Sequence, residues 1–135
     1  MIIPIGGGGG SGSSVIPNGY ATVAGINLTT PFETVDVLVF EIELPVASPV
    51  FCTATVPMTS TLTSDSCILI LSIDGASPQY TFVQEFISGE KQNITMLLRP
   101  DGDLIGTVTV RLTAMILDSA VTLTTPSLFA MALRA

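Results

Sequence analysis

The sequence contains no histidine, no tryptophan and a single lysine, Lys91. Without histidine the chain lacks the commonest general base and metal ligand, and it cannot assemble a Ser-His-Asp or Cys-His nucleophile by itself. Charged residues of all kinds make up 11% of the chain, whereas a typical soluble domain has about 25%. We therefore predict a protein that is not an enzyme and uses no cofactor.

Positive charge is too sparse to recognise nucleic acid. The four cations are outnumbered by 11 acidic residues, which gives a net charge of −7, and they are scattered singly along the chain at Lys91, Arg99, Arg111 and Arg134. Neutralising phosphates requires clustered cations. Apolar residues reach 47%, yet no uninterrupted apolar run approaches the roughly 20 residues of a membrane-spanning helix. Neither nucleic acid nor a membrane is a predicted partner.

Threonine and serine take the place of charge, with 17 and 12 residues respectively. The branched side chain of threonine suits the exposed face of a strand. Natural sheets usually protect their free edges with charges, above all with lysine. A sheet protein with one lysine is therefore predicted to have much of its surface covered by neighbouring subunits, as in a homo-oligomer.

Apolar and polar residues alternate with period two over long segments. In Leu104–Leu117 one face is apolar and the other is rich in threonine, and Asp36–Leu44 repeats the pattern with Glu41 and Glu43 facing outward. Such alternation is typical of a half-buried strand. Six residues of these two segments are predicted to lie in the core: Leu38, Phe40, Ile42, Val108, Val110 and Leu112.

Further strands are predicted between turn sequences rich in proline, glycine and aspartate. They lie at Tyr20–Leu28, Val50–Val56, Cys67–Ile73, Gln79–Ile87, Gln92–Leu98 and Leu128–Leu133. About eight closely spaced strands with almost no helix predict an all-β fold, an antiparallel β-sandwich or jelly roll with an extended Gly-rich N-terminal arm. The predicted division is an arm at residues 1–18 and a sandwich domain at residues 19–135.

The arm joins an apolar start to a run of glycine and serine, which behaves as flexible coil. We hypothesise that it is a protein-interaction site that docks onto a neighbouring subunit; the alternative is that it lies along its own domain. The residues of this site are Ile2, Ile3, Ile5, Gly6, Gly7, Gly8, Gly9 and Gly10. Met1–Ile5 also lacks the basic region of a secretory signal, which predicts synthesis in the cytoplasm of a host cell.

Cys52 and Cys67 are the only cysteines. If Val50–Val56 and Ser66–Ile73 formed a hairpin, the two cysteines would face each other, close enough for a disulfide. A cytoplasmic origin favours reduced thiols that are buried as small hydrophobic groups.

Two pairs of carboxylates are candidates for chemistry. Asp101 and Asp103 could offer oxygens to Ca²⁺, but one pair falls far short of the six to eight ligands required, so a polar hairpin tip between Gln92–Leu98 and Leu104–Leu117 is favoured. Glu41 and Glu43 have roughly the spacing of a glycosidase pair, about 7 Å along a strand, yet the outward face is where isolated carboxylates ordinarily lie. Neither a metal site nor a catalytic site is predicted.

The glycine-tethered N-terminus, Met1–Ser14, and the Thr/Val-rich strand pair at Ile94–Leu98 and Leu104–Ile116 resemble those of small bacteriophage virion proteins of the capsid decoration (cement) class. The resemblance implies a β-sandwich, often trimeric, that binds the major capsid protein on the outer capsid and reaches neighbours with a terminal arm. It implies a location in the virion. It assigns no individual functional residue, because that class has no shared motif.

Two other functions remain open. A phage tail, baseplate or fibre component would share this composition. A carbohydrate-binding or adhesin β-sandwich module is the alternative from another class, although sugar-binding platforms usually exploit aromatic rings, and the chain has no tryptophan and only two tyrosines, Tyr20 and Tyr80.

Overall fold

The computed structural model describes residues 15–60, 65–74, 76–86, 91–117 and 120–134, so the arm residues Ile2, Ile3, Ile5 and Gly6–Gly10 lie outside the described residues. The described residues form ten strands in two antiparallel sheets and contain no helix. The predicted all-β sandwich is therefore confirmed. The strands are β1 (Asn18–Thr22), β2 (Ile26–Leu28), β3 (Val35–Ser48), β4 (Val50–Ser60), β5 (Cys67–Ile73), β6 (Gln79–Val83), β7 (Lys91–Leu98), β8 (Leu104–Ile116), β9 (Val121–Leu123) and β10 (Ser127–Ala132).

The six-stranded sheet is built around β4. On one side of β4, the segment Val50–Thr55 pairs with β10 and Met58–Ser60 pairs with β9. Strands β1 and β2 then pair with β10 and β9, respectively, at that side of the sheet. On its other side, β4 pairs with β7 along Cys52–Thr59. Strand β7 is therefore an edge of this sheet.

The four-stranded sheet has the order β3–β8–β5–β6. Its main contact is the long pairing of β3 with β8, which contains register irregularities between Asp36 and Leu38 and between Leu44 and Ser48. Such irregularities bend a strand and interrupt its regular pairing. None of the described residues forms a helix that could cross a membrane.

The core lies between the two sheets and contains all six residues predicted for it: Leu38, Phe40, Ile42, Val108, Val110 and Leu112. Period-two alternation is thus a correct guide to the inward face of β3 and β8. Gly19 lets β1 cross close to β3, because a Cβ atom at this position would lie 2.5 Å from Cε1 of Phe40. The close approach of the two sheets here depends on the absence of that atom.

Several strand predictions are corrected by the structure. The predicted strand Tyr20–Leu28 is two strands, since β1 pairs with β10 and β2 with β9. The predicted strand Gln79–Ile87 ends at Val83, and Glu85 adopts a φ of 67°. Strand β9 is only three residues long and was not predicted. Pairing with β2 and β4 on its two sides makes this short segment a strand.

One hairpin that the sequence allowed and one that it predicted are not formed. Strands β4 and β5 belong to different sheets, so Cys52 and Cys67 are not cross-strand partners. Strands β7 and β8 also belong to different sheets, so Pro100–Asp103 connects the two layers of the sandwich. The turn at Pro100–Asp103 itself lies where it was predicted. A turn sequence marks where a strand ends, whereas the destination of the next strand depends on packing between distant segments.

Candidate interaction surfaces

The four carboxylates considered as catalytic or metal sites all lie exposed on the surface. Glu41 and Glu43 are exposed, and the Thr107 hydroxyl donates a hydrogen bond to Glu43. Asp103 pairs with Arg134, with Nη1 2.7 Å from Oδ2. Within the described residues, no three Cys, Asp or Glu side chains are grouped in a way that could hold a metal ion.

Both cysteines are free thiols in the core. Desolvation by burial raises the pKa of Cys52 to about 12 and that of Cys67 to about 11, and in each case a backbone hydrogen bond opposes part of the rise. A thiol that stays protonated in an apolar environment is a poor nucleophile. The two residues therefore act as small core side chains.

The raised thiol pKa values predict a loss of stability in alkali. In the unfolded chain the thiols ionise near the ordinary value of 9.0, whereas in the folded protein they ionise only near 11–12. Their stabilising effect is therefore complete below pH 9 and declines as the pH rises toward 12. Between pH 9 and pH 10 the loss should be about 1 kcal/mol per thiol. Urea unfolding across this range should show a shallower pH slope for the Cys52→Ala/Cys67→Ala variant; equal slopes would contradict the assignment.

An apolar patch occupies the outer face of the six-stranded sheet. We call it the β4–β10 patch, and its members are Tyr20, Phe51, Leu97, Phe129 and Met131. Neighbouring strands bring these residues together, because Tyr20 pairs with Phe129, and Met131 pairs with Phe51. The Phe51 and Phe129 rings lie 6.0 Å apart between centroids, a separation typical of interacting aromatic pairs. Leu97, on the edge strand β7, is 58% exposed.

The inner face beneath this patch carries smaller side chains than the outer face. Cys52 and Ala54 of β4 and Ala130 and Ala132 of β10 point into the core and are almost completely buried. Large apolar side chains ordinarily occupy the inner face of a sheet, and small or polar ones the outer face. Phe51, Phe129 and Met131 thus place large apolar groups on the outer face above these small residues, although larger side chains such as Leu128 are also buried in the same strands.

A second apolar surface lies on the outer face of the four-stranded sheet. This β5–β6 patch consists of Ile68, Ile70, Tyr80, Phe82 and Met115. Tyr80 pairs with Ile70 and Phe82 with Ile68, and the two aromatic side chains are 64% and 53% exposed. Beyond it on the same face, Arg111 forms an ion pair with Asp36, with Nη1 2.8 Å from Oδ2.

The connection between β7 and β8 borders two open clefts of about 290 and 240 Å³. Arg99, Pro100 and Asp101 contribute to both. Arg99 and Asp101 are exposed, and the walls contain no aromatic ring. These clefts lack the apolar, convergent lining of a small-molecule site.

Neither patch was predicted from the sequence. In β10 apolar residues fall on both faces, so alternation alone does not reveal that Phe129 points outward. A signal was present in β4, where the alternating set from Val50 to Met58 is apolar and the set that contains Phe51 is otherwise threonine and proline.

Comparisons with known proteins show a likeness of fold only. No protein-family model and no curated protein matches the chain. Among solved structures, the chain is similar to TmCBM61, whose structure is in complex with β-1,4-galactotriose, with 12% identity over 81% of this chain and 86% of that one and a TM-score of 0.44. It is also similar to dimeric latent PorU from Porphyromonas gingivalis, with 10% identity over 94% of this chain and a TM-score of 0.49. The match covers 14% of PorU.

Proposed function

We propose that this chain is a non-enzymatic structural protein of a virion, a capsid decoration (cement) protein that binds and stabilises the outer capsid of a bacteriophage. The observation that carries the proposal is the β4–β10 patch, whose large apolar side chains face outward. The centres of protein interfaces are enriched in tyrosine, phenylalanine and methionine and depleted of charge. The patch has this composition, since it contains two phenylalanines, a tyrosine and a methionine and no charged residue.

The proposal assigns the patch to the contact with another virion subunit, the major capsid protein. Buried aromatic anchors of this kind dominate the free energy of binding at protein interfaces. The arm residues Ile2, Ile3 and Ile5 would add a second contact with a neighbouring subunit. The sparse charge and the composition shared with decoration proteins support a virion as the assembly. A tail, baseplate or fibre component would use the same kind of surface at a different place in the particle.

In the organism that encodes it, a tagged copy of the chain should co-purify with virus particles on a density gradient. The Phe51→Thr/Phe129→Thr variant should lower the amount bound to particles by at least about tenfold, because two aromatic anchors are lost. Threonine is compatible with an outer strand position, so the fold should be retained. Circular dichroism and the melting temperature of the purified variant check that point.

Phe82→Thr is the matched control, because it makes the same substitution on the outer face of the opposite sheet. This variant should bind particles as the natural protein does. Absence of the folded, tagged protein from the particles would contradict the virion role. Immunogold labelling of the particles separates a capsid location from a tail or fibre location.

Carbohydrate binding is the second candidate function, and the β5–β6 patch is the observation that favours it. Tyr80 and Phe82 lie on the same face of one strand, about 7 Å apart. Exposed aromatic rings at this spacing can stack on successive sugar rings, and Arg111 and Asp36 supply polar groups farther along the same face. A glycan array distinguishes the two functions: sugar binding that is lost in a Tyr80→Ala/Phe82→Ala variant would favour this candidate.

A further inference from the structure

Most free sheet edges in this protein are protected against pairing with another chain. The edge strand β3 contains two register irregularities, Pro45 and the exposed carboxylates Glu41 and Glu43. Strands β1, β2 and β6 are only five, three and five residues long, and Pro17 directly precedes β1. Short strands, prolines, charges and irregularities are the devices by which natural sheets prevent edge-to-edge association.

Strand β7 is the exception. It is eight residues long and pairs with β4 without irregularity from Cys52–Leu98 to Thr59–Lys91. It contains no proline and no acidic residue, and its only charge is Lys91 at its first position. No described strand pairs with its other side. On an antiparallel edge every second residue directs its N–H and C=O away from the sheet, so β7 presents a regular row of backbone groups that no described strand pairs.

We propose that β7 pairs antiparallel with β7 of a second copy of this chain across a twofold axis, joining the two six-stranded sheets into one continuous sheet. The inference rests on the proposed structural role, because it names the partner that such a subunit binds. Twofold contacts use the same surface on both subunits, so the strand must be complementary to itself.

A register centred on Ile94 meets that requirement. Asn93 then lies opposite Thr95 of the second copy, and Lys91 lies opposite Leu97. These four positions are all exposed on the outer face of β7 in the single chain. Inward-facing residues likewise meet inward-facing ones, since Gln92 lies opposite Met96. The faces of the two sheets therefore match, and the joined sheet carries both β4–β10 patches on one side.

Charge favours the antiparallel arrangement with a second copy. Lys91 lies opposite Leu97 of the second copy, which is six positions along the strand from that copy's Lys91. The two Lys91 side chains are therefore about 20 Å apart, roughly twice the screening length in physiological salt. A parallel arrangement would place them side by side. Pairing through β3 centred on Ile42 would instead place Glu41 of each copy opposite Glu43 of the other. Of the two longer edges among the described strands, β7 is the one that carries no acidic residue.

The test is sedimentation equilibrium of the intact protein over the micromolar range, where we expect a monomer–dimer equilibrium. Thr95→Lys should raise the dimer dissociation constant by at least about tenfold, because the two new charges lie diagonally across the proposed pair. Asn93→Lys should have a similar effect. Both positions are exposed, so both variants should melt near the temperature of the natural protein. Higher salt should strengthen the natural dimer, because each chain carries a net charge of −7.

Thr55→Lys is the matched control. Thr55 is exposed on the same face and pairs with Thr95 from the neighbouring strand β4, so the variant has the same charge change one strand away from the edge. It should dimerise like the natural protein. Dimerisation that survives Thr95→Lys, or a trimer as the only assembly, would overturn the β7 interface while leaving the structural role intact. A natural protein that stays monomeric would overturn the β7 interface and the homo-oligomer together; the virion role then depends on particle co-purification alone.

Discussion

Replacing Val110 with aspartate should strongly destabilise the domain. Val110 is completely buried in β8, where it pairs with Phe40 on one side and Ile73 on the other. A carboxylate at this position would lose its hydration without gaining a partner, since Arg111, the nearest cation in sequence, is on the opposite face of the strand. The expected cost is about 4 kcal/mol or more, against a total stability of about 5–15 kcal/mol for a typical domain.

Urea unfolding followed by circular dichroism measures this effect. Ile105→Asp is the control, because it places the same side chain in the same strand at a position that is 64% exposed. Its cost should stay within about 1 kcal/mol, as for most surface substitutions. If the Val110→Asp protein remained folded with an unchanged unfolding midpoint, the assignment of the core to the space between these two sheets would be wrong.

Replacing Phe86 with alanine should cost about 3–5 kcal/mol, the range for truncating a buried phenylalanine. Phe86 is 1% exposed although it lies outside any strand. If the strand continued regularly beyond the buried Val83, side chains would keep alternating between the two faces and Phe86 would point outward. The φ of 67° at Glu85 breaks that alternation and turns Phe86 into the core. The Gln92 side-chain amide donates a hydrogen bond to the Glu85 carbonyl, at 3.2 Å, and so holds this segment to β7.

Phe82→Ala provides the comparison, because it makes the same truncation four residues earlier at a side chain that is 53% exposed. Its effect on the free energy of unfolding should be below about 1 kcal/mol. Thermal or urea unfolding of the two variants gives the difference directly. If the two variants lost comparable free energies of unfolding, Phe86 would not be the residue that holds the segment after β6 against the core.

The class of fold and most of the strands could be predicted from the sequence alone. Strands β5, β7 and β8 were predicted to within one residue, β3 extends four residues beyond its predicted end at Leu44, and the six core residues of β3 and β8 were identified correctly. These properties are local. In both segments one alternating set is apolar and the other is polar, so burying the apolar set selects the inward face without reference to any other strand.

The pairing of the strands, and the side of an ambiguous strand that faces outward, depend on contacts between distant parts of the chain. Strands β4 and β5 are neighbours in sequence but belong to different sheets, because pairing depends on contacts between distant segments. In β10 both alternating sets contain large apolar residues, so hydrophobicity does not select a face. Pairing with β4, whose apolar set faces the core, directs Leu128 and Ala130 inside and leaves Phe129 on the outer surface beside Phe51.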